Sequence, residues 1–163
     1  MTIRSQSADM TGLAPFALRL PPNTRFGRGA AMRVAAEVAA LGPPLIFVHG
    51  GDPVRSADLR GALDAAGVTL QTVACSTEPT LDMLTDALDG ARDWRADAVV
   101  AMGGGAALDL GKALAALLPA PSTDPLEHLE VVGAGRPLAA APLPFVAVPT
   151  TAGTGSEATK NAV

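Results

Sequence analysis

The stretch ADAVVAMGGGAALDLGKALAALL, residues 96–118, decides the fold class. A short apolar strand (96–103) runs into three glycines, and a segment predicted to be a helix (106–118) follows them. Glycines between a strand and a helix permit positive φ angles and let a ligand approach the backbone, and the unpaired N–H groups that open the helix favour an anion. The glycine turn, residues 103–105, is therefore either a phosphate-binding turn or an ordinary tight connection.

Strands and helices alternate along the rest of the chain. The strands are short, rich in Val and Ile, and lack apolar/polar alternation, which is typical of strands buried on both faces of a parallel sheet. Ser56 and Thr80 are the predicted N-caps of two helices. The sequence predicts helices at 30–41, 56–67, 80–94 and 106–118, and strands at 44–51, 68–75, 96–103 and 144–149.

The ends of the chain and one long connection depart from this pattern. Residues 1–13 are predicted to be a flexible leader, and residues 14–163 a single domain that begins with a strand at 16–21. Residues 119–143 are rich in proline, which predicts an irregular connection with one short helical turn near Glu127.

The composition excludes several classes of function. Of the 163 residues 12 are basic and 16 acidic, and no run of Lys or Arg offers the electrostatic footprint of a nucleic-acid-binding protein. The single cysteine excludes an internal disulfide and a Cys-based metal cluster. No apolar stretch suits a signal sequence or a membrane span. We expect a cytoplasmic protein that binds neither nucleic acid nor membranes.

Two common phosphate-binding motifs do not fit the glycine turn. A G-x-G-x-x-G fingerprint needs glycine at 108, where Leu108 stands. A P-loop needs glycine at 106 and Ser or Thr at 113, where the chain has Ala106 and Ala113, so an NTPase is excluded. Asp109 and Lys112 share a face of the following helix, either as a solvated pair or pointing toward a ligand cleft.

A second loop strengthens the prediction of a ligand site. The stretch VAVPTTAGTGSEAT, residues 146–159, follows the last predicted strand, and we call its residues 149–159 the threonine loop. Glycines at 153 and 155 give it a flexible backbone. Its hydroxyl groups can bind phosphate, ribose or a nicotinamide amide, and they belong to Thr150, Thr151, Thr154 and Ser156.

These two segments together resemble the iron-containing (group III) alcohol dehydrogenase family. That family carries a GGGS-x-x-D-x-x-K turn and a downstream P-T-T-A-G-T-G-S-E-x-T loop, which correspond here to residues 103–112 and 149–159. RFGRGA (25–30) and EPT (78–80) are similar to two further family segments. The resemblance covers residues 16–163, and its second loop is long and specific.

The resemblance implies an NAD(P)-binding domain with a Rossmann-like parallel sheet flanked by helices. The family places its metal ligands, for iron or zinc, in a helical domain that follows, so we expect no catalytic or metal-binding residue in this chain and no turnover by it alone. The implied pyrophosphate ligands are Gly103, Gly104 and Gly105. Thr150, Thr151 and Thr154 would flank the adenosine and ribose, and Asp109 would lie near the nicotinamide. Gly50, Gly51, Lys112 and Ser156 complete the implied cofactor-binding set.

Three departures from the family pattern matter. Ala106 replaces the family's Ser and removes one hydroxyl contact. Many members have an Asp at the end of the first α/β strand, which disfavours a 2′-phosphate, whereas this strand ends in Gly50 and Gly51, so we expect NADP to be accepted; a shift in register would bring Asp52 to that place. The chain stops at Val163, so we expect the family's metal-binding helical domain to be absent from it, and its two histidines at 49 and 128 lack metal-site spacing.

The sequence therefore predicts the cofactor-binding part of a metal-dependent oxidoreductase that moves a hydride between an alcohol and an aldehyde or ketone, and that forms a homo-oligomer. Three alternatives remain open. They are a maleylacetate reductase-type enzyme of the same family, a relative similar to dehydroquinate synthase, and a non-catalytic nucleotide-binding module.

Overall fold

A four-stranded parallel sheet forms the centre of the computed structural model, which describes residues 21–122 and 124–162. The strands lie in the order β2-β1-β3-β4, and all neighbouring pairs are parallel. The predicted α/β fold with a Rossmann-like sheet is confirmed. The strands are β1 (Leu45–Gly50), β2 (Leu70–Cys75), β3 (Ala98–Gly103) and β4 (Phe145–Pro149).

Helices cover both faces of the sheet, namely α1 (Ala30–Ala39), α2 (Ala57–Ala65), α3 (Leu81–Ala91) and α4 (Gly105–Leu117). Side chains alternate along each strand, so Leu45 and Phe47 pack with α1 and α2, whereas Ile46 and Val48 pack with α3 and α4. All four are fully buried. Because both faces are covered, the strands need no polar side, which explains the missing alternation in the sequence.

The two predicted helix caps have different outcomes. Thr80 caps α3 as expected, since its Oγ1 accepts a hydrogen bond from N of Met83 at 3.1 Å. Ser56 stands at the N-cap position of α2 as predicted, but its side chain makes no capping hydrogen bond to the helix. Its buried hydroxyl donates to the carbonyl of Pro53, because a 3₁₀ turn (Pro53–Ser56) precedes the helix and Asp52 caps that turn instead.

A glycine inside α4 lets this helix approach the sheet closely. A Cβ on Gly111 would lie 2.7 Å from Cβ of Ala101 and 2.9 Å from the Phe145 ring, distances that real Cβ atoms do not show. Position 111 is therefore a packing site between α4, β3 and β4. The close fit fixes where the first turn of α4 stands relative to the ends of those strands.

The connection before β4 is irregular, as predicted, and contains one 3₁₀ turn at Pro125–Glu127. The predicted leader and nearly all of the predicted strand at 16–21 lie outside the described residues. In the part of the chain that the structure describes, no helix has the length and apolar character needed to cross a membrane.

Candidate functional site

The carboxyl ends of β1 and β3 form the edge of the sheet at which the candidate site lies. The strand that follows β1 in the chain lies on one side of it, and β3 and β4 lie on the other side. In open α/β sheets a crevice forms where the strand order reverses in this way, and ligands bind there. Gly50 ends β1 and Gly103 ends β3, and a Cβ on Gly103 would lie 3.3 Å from N of Gly50.

The backbone of the glycine turn corrects one expectation. Positive φ occurs at Gly153 and Gly155 of the threonine loop but at none of the three glycines of the turn, and φ of Gly104 is −79°. Space is what requires glycine at 103, because a Cβ there would lie 2.6 Å from Cβ of Ala107. Gly103 is therefore needed for the close approach of strand and helix rather than for an unusual backbone angle.

The threonine loop lies directly against the turn. The N–H of Thr150 donates to the carbonyl of Gly103 at 2.8 Å. A Cβ on Gly105 would lie 3.1 Å from Cγ2 of Thr154 and 3.2 Å from Oγ of Ser156. The fold thus brings the glycine turn and the threonine loop together at one end of the sheet. Their contacting residues are 47 to 51 positions apart in the chain, and the two segments were predicted separately to bind a ligand.

The start of α4 is open to a ligand. No side-chain hydrogen bond caps α4 within the described residues. Gly104 at the N-cap position has no side chain, and a Cβ built on it would lie 3.6 Å from the nearest side chain, that of Thr151. The first N–H groups of a helix lack intrahelical partners and carry the positive end of its dipole. Ala106 adds no hydroxyl to this turn. The arrangement therefore suits an anionic group such as a phosphate.

Asp109 and Lys112 form a nearly buried ion pair, which corrects the expectation of a solvated pair. The Lys112 ammonium lies 2.8 Å from Oδ1 of Asp109, and the two side chains are 10% and 11% exposed. Lys112 also donates to Oγ1 of Thr159 at 3.1 Å and to the carbonyl of Asn161. Ser156 donates to Oδ2 of Asp109 at 3.4 Å. The pair is therefore not solvated, and it lies among groups of residues 156–161.

Thr159 and Asn161 were not predicted to take part in the site. They lie 47 and 49 residues from Lys112 in the chain, so no spacing rule could relate them. The sequence signal was a pair of charged residues, Asp109 and Lys112, in an otherwise apolar helix, since charged side chains that become buried need partners.

At the end of β1, the Gly50 position has free space around it, and the nearby Asp52 carboxylate already has partners. A Cβ on Gly50 would meet no atom within 4 Å, whereas one on Gly51 would lie 2.9 Å from Cβ of Ser76. Asp52 is turned toward its own chain, because Oδ1 accepts from N of Val54 at 3.0 Å and Oδ2 lies 3.6 Å from Nε of Arg55. The carboxylate that a register shift would bring to this place is thus engaged locally.

Cys75 ends β2 at the same edge of the sheet and was also not predicted to belong to the site. Burial raises the pKa of its thiol, and the carboxylates of Glu78 and Asp109 raise it further. Its Sγ–H donates to the carbonyl of Thr77. Because the Asp109 carboxylate helps to raise the pKa of this thiol, the end of β2 lies within the electric field of the candidate site. The position of Cys75 at the carboxyl end of a parallel strand could have indicated this.

The two histidines make local contacts with backbone carbonyls. Nδ1 of His49 lies 2.6 Å from the carbonyl of Gly50, and Nδ1 of His128 lies 2.9 Å from that of Arg136. Among the described residues no group of three or more His, Cys, Asp or Glu side chains is placed to hold a metal ion. These residues do not fit a metal centre, and no step through a metal is derived from them.

The strand order and the open helix start define a doubly wound α/β protein whose candidate site lies at the reversal of its sheet. Over residues 21–163 the chain matches the model of the family described as iron-containing alcohol dehydrogenase, and it belongs to that family. The resemblance carried by the glycine turn and the threonine loop is thereby confirmed. The family is one of oxidoreductases.

Relatives with assigned activities share up to about a third of their length with this chain. Long-chain-alcohol dehydrogenase 1 of Geobacillus thermodenitrificans is 36% identical over 152 residues, which cover 88% of this chain and 37% of that protein. The mitochondrial hydroxyacid-oxoacid transhydrogenase of Mus musculus is 30% identical over 149 residues, covering 86% and 32%. The chain thus spans about a third of the curated relatives that it matches.

Solved structures of the family have the same fold. Sulfoacetaldehyde reductase from Bifidobacterium kashiwanohense in complex with NAD⁺ is 31% identical, with a TM-score of 0.72 that covers 90% of this chain and 39% of that one. An iron-containing alcohol dehydrogenase is 28% identical, with a TM-score of 0.75 and coverage of 90% and 40%. One structural neighbour therefore binds a nicotinamide dinucleotide.

Proposed function

We propose that this chain is the dinucleotide-binding part of an NAD(P)-dependent oxidoreductase that moves a hydride between an alcohol and an aldehyde or ketone. The observation that carries the proposal is the contact of Thr154 and Ser156 with Gly105 at the reversal of the sheet. It joins an open helix start, which suits a pyrophosphate, to hydroxyls that suit ribose or an amide. The NAD⁺ complex of a 31% identical relative supports it.

The residues of this site fit the proposed ligand. The pyrophosphate would rest on the backbone of Gly104 and Gly105, where the first turn of α4 has no side-chain cap in the described part of the chain. Thr150, Thr151 and Thr154 would flank the adenosine and ribose. When bound, the nicotinamide supplies the hydride acceptor or donor. The domain at 14–163 supplies binding and orientation, and a metal site in a following helical domain would act on the substrate.

Titration of NADH and NADPH into the 163-residue chain, followed by dinucleotide fluorescence, tests this proposal. We expect weak, saturable binding and no oxidation of alcohols with added Fe²⁺ or Zn²⁺. Gly105→Ala should weaken binding, because its Cβ would lie within 3.3 Å of Thr154 and Ser156. Gly61→Ala, in open space on α2, is the matched control. Absence of saturable binding by the parent chain would overturn the proposal.

The end of β1 leads us to propose that NADP is accepted as well as NAD. A carboxylate at this place would repel a 2′-phosphate, but Gly50 has no side chain and Asp52 is held by Val54 and Arg55. Gly50→Asp places a carboxylate in open space and should shift the preference toward NAD by about tenfold, the equivalent of ~1.4 kcal/mol.

The control for this substitution is Gly61→Asp, which adds the same charge at another open position, on α2. It should leave the ratio of the two dissociation constants unchanged. A clear preference of the parent chain for NAD, or an unaltered ratio in Gly50→Asp, would contradict the proposed acceptance of NADP.

A further inference from the structure

Lys112 has no donor left for a phosphate. An ammonium carries three N–H groups, and that of Lys112 lies against Oδ1 of Asp109, Oγ1 and O of Thr159, and O of Asn161. The Lys112 side chain is only 10% exposed, so its ammonium is enclosed by these partners. A lysine is rarely buried to this extent unless it is paired.

Apart from Asp109, the partners of Lys112 are Thr159 at the far end of the threonine loop and Asn161 just beyond it. That loop is rich in glycine and largely exposed, so holding it in one conformation opposes a large backbone entropy. At its near end Thr150 donates to the carbonyl of Gly103. Toward its far end, the described tertiary hydrogen bonds join the loop to α4. Ser156 donates to Asp109, and Lys112 donates to Thr159 and to the carbonyl of Asn161.

We infer that Asp109 and Lys112 are positioning residues, which hold the threonine loop against the glycine turn and so set dinucleotide affinity without touching the dinucleotide. This inference rests on the proposed function and reassigns two residues expected to bind the cofactor directly. Thr154 and Ser156 lie against Gly105 in the same loop whose end is bonded to Asp109 and Lys112. Binding is then reduced by the fraction of molecules in which the loop is released.

Lys112→Met tests the inference, since it removes the ammonium and keeps an apolar stem of similar length. We expect faster amide hydrogen exchange at Ala158 and Thr159, whose N–H groups bond to the carbonyl of Gly155 in the held loop. We also expect NADH binding to weaken by about tenfold, which corresponds to a loop in place in roughly one molecule in ten. Exchange is measured without ligand by mass spectrometry.

Lys160→Met is the matched control, because it removes the same charge from an exposed position beside the same loop. It should change neither exchange nor affinity. If Lys112→Met leaves Asp109 unpaired and impairs folding, the double variant Asp109→Asn with Lys112→Met removes both charges and is measured in its place. It should show the same rise in exchange and the same loss of affinity.

The outcomes separate this inference from the proposed function. Weaker binding with unchanged loop exchange would make Lys112 a direct ligand and overturn the positioning role. Unchanged exchange and unchanged affinity would overturn it as well. Absence of dinucleotide binding by the parent chain would defeat the proposed function and with it the effect on affinity, whereas the exchange comparison, which needs no ligand, would still decide whether Lys112 holds the loop.

Discussion

At the scale of single residues, the three glycines of the turn have different tasks. Gly103 is enclosed by Ala107 and Gly50, Gly105 faces the threonine loop, and Gly104 makes only an ordinary contact distance with Thr151. The sequence predicted their shared position between a strand and a helix, but not which of them is required by packing. That distinction depends on atoms of β1 and α4, which no local pattern contains.

Gly103→Ala should destabilise the fold, because its Cβ would overlap with Cβ of Ala107 at 2.6 Å. We expect a loss of about 1–3 kcal/mol in the free energy of unfolding, as for other overpacked cores. Urea unfolding measures it. Gly104→Ala, at a normal φ and with 3.6 Å to Thr151, should unfold like the parent; equal stability of all three proteins would contradict the packing role.

The thiol of Cys75 provides a pH test of the site's surroundings. Burial, then Glu78 and Asp109, raise its pKa in the folded chain, so the unfolded chain loses this proton at lower pH. The stability that this pKa difference contributes is present below the pKa of the unfolded chain, and it is lost as the pH rises through the pKa of the folded chain. Between neutral pH and about pH 10 the parent should therefore lose more stability than Cys75→Ala. Parallel pH profiles in urea unfolding would contradict the raised pKa.

At the scale of elements, the pattern of strands and helices was predictable because it depends on neighbouring residues. The four strands and four helices lie within a few residues of the predicted ranges. The Ser56 hydroxyl departs from its expected capping role because a 3₁₀ turn capped by Asp52 precedes α2, and the hydroxyl donates to Pro53 instead of accepting from the helix. The burial of the Asp109–Lys112 pair was missed for another reason, since the groups that cover it come from a distant segment.

The cap of α3 gives a prediction at this scale. Thr80→Ala removes the oxygen that accepts from N of Met83 and should lower the free energy of unfolding by about 1 kcal/mol. Thr85→Ala makes the same change inside the same helix, where the hydroxyl only donates to the carbonyl of Leu81. It should have an effect within about 0.5 kcal/mol. Thermal unfolding distinguishes the two, and equal effects would contradict the capping role.

At the scale of the whole molecule, β4 forms one edge of the sheet, and no strand among the described residues pairs with its outer side. β4 pairs only with β3, and its residues 145–147 are half-buried and apolar. Unpaired strand edges of this kind favour association. The proposed homo-oligomer agrees with this surface.

We predict that the chain self-associates through this surface. Light scattering after size exclusion, over a range of concentrations, should give a mass above 16.3 kDa that rises with concentration. A single monomeric mass at all concentrations would contradict the prediction.

The contacts that complete the site also determine when it can form. Thr150 and Asn161 reach partners 47 and 49 residues earlier in the chain. Closing such a long loop opposes chain entropy, and contacts of this kind slow folding. The strands β1 to β3 with their helices can become ordered while the threonine loop is still free, so the binding edge is expected to be the last part of the domain to acquire its structure. A dinucleotide that binds only the completed edge would then shift folding toward the native state by mass action.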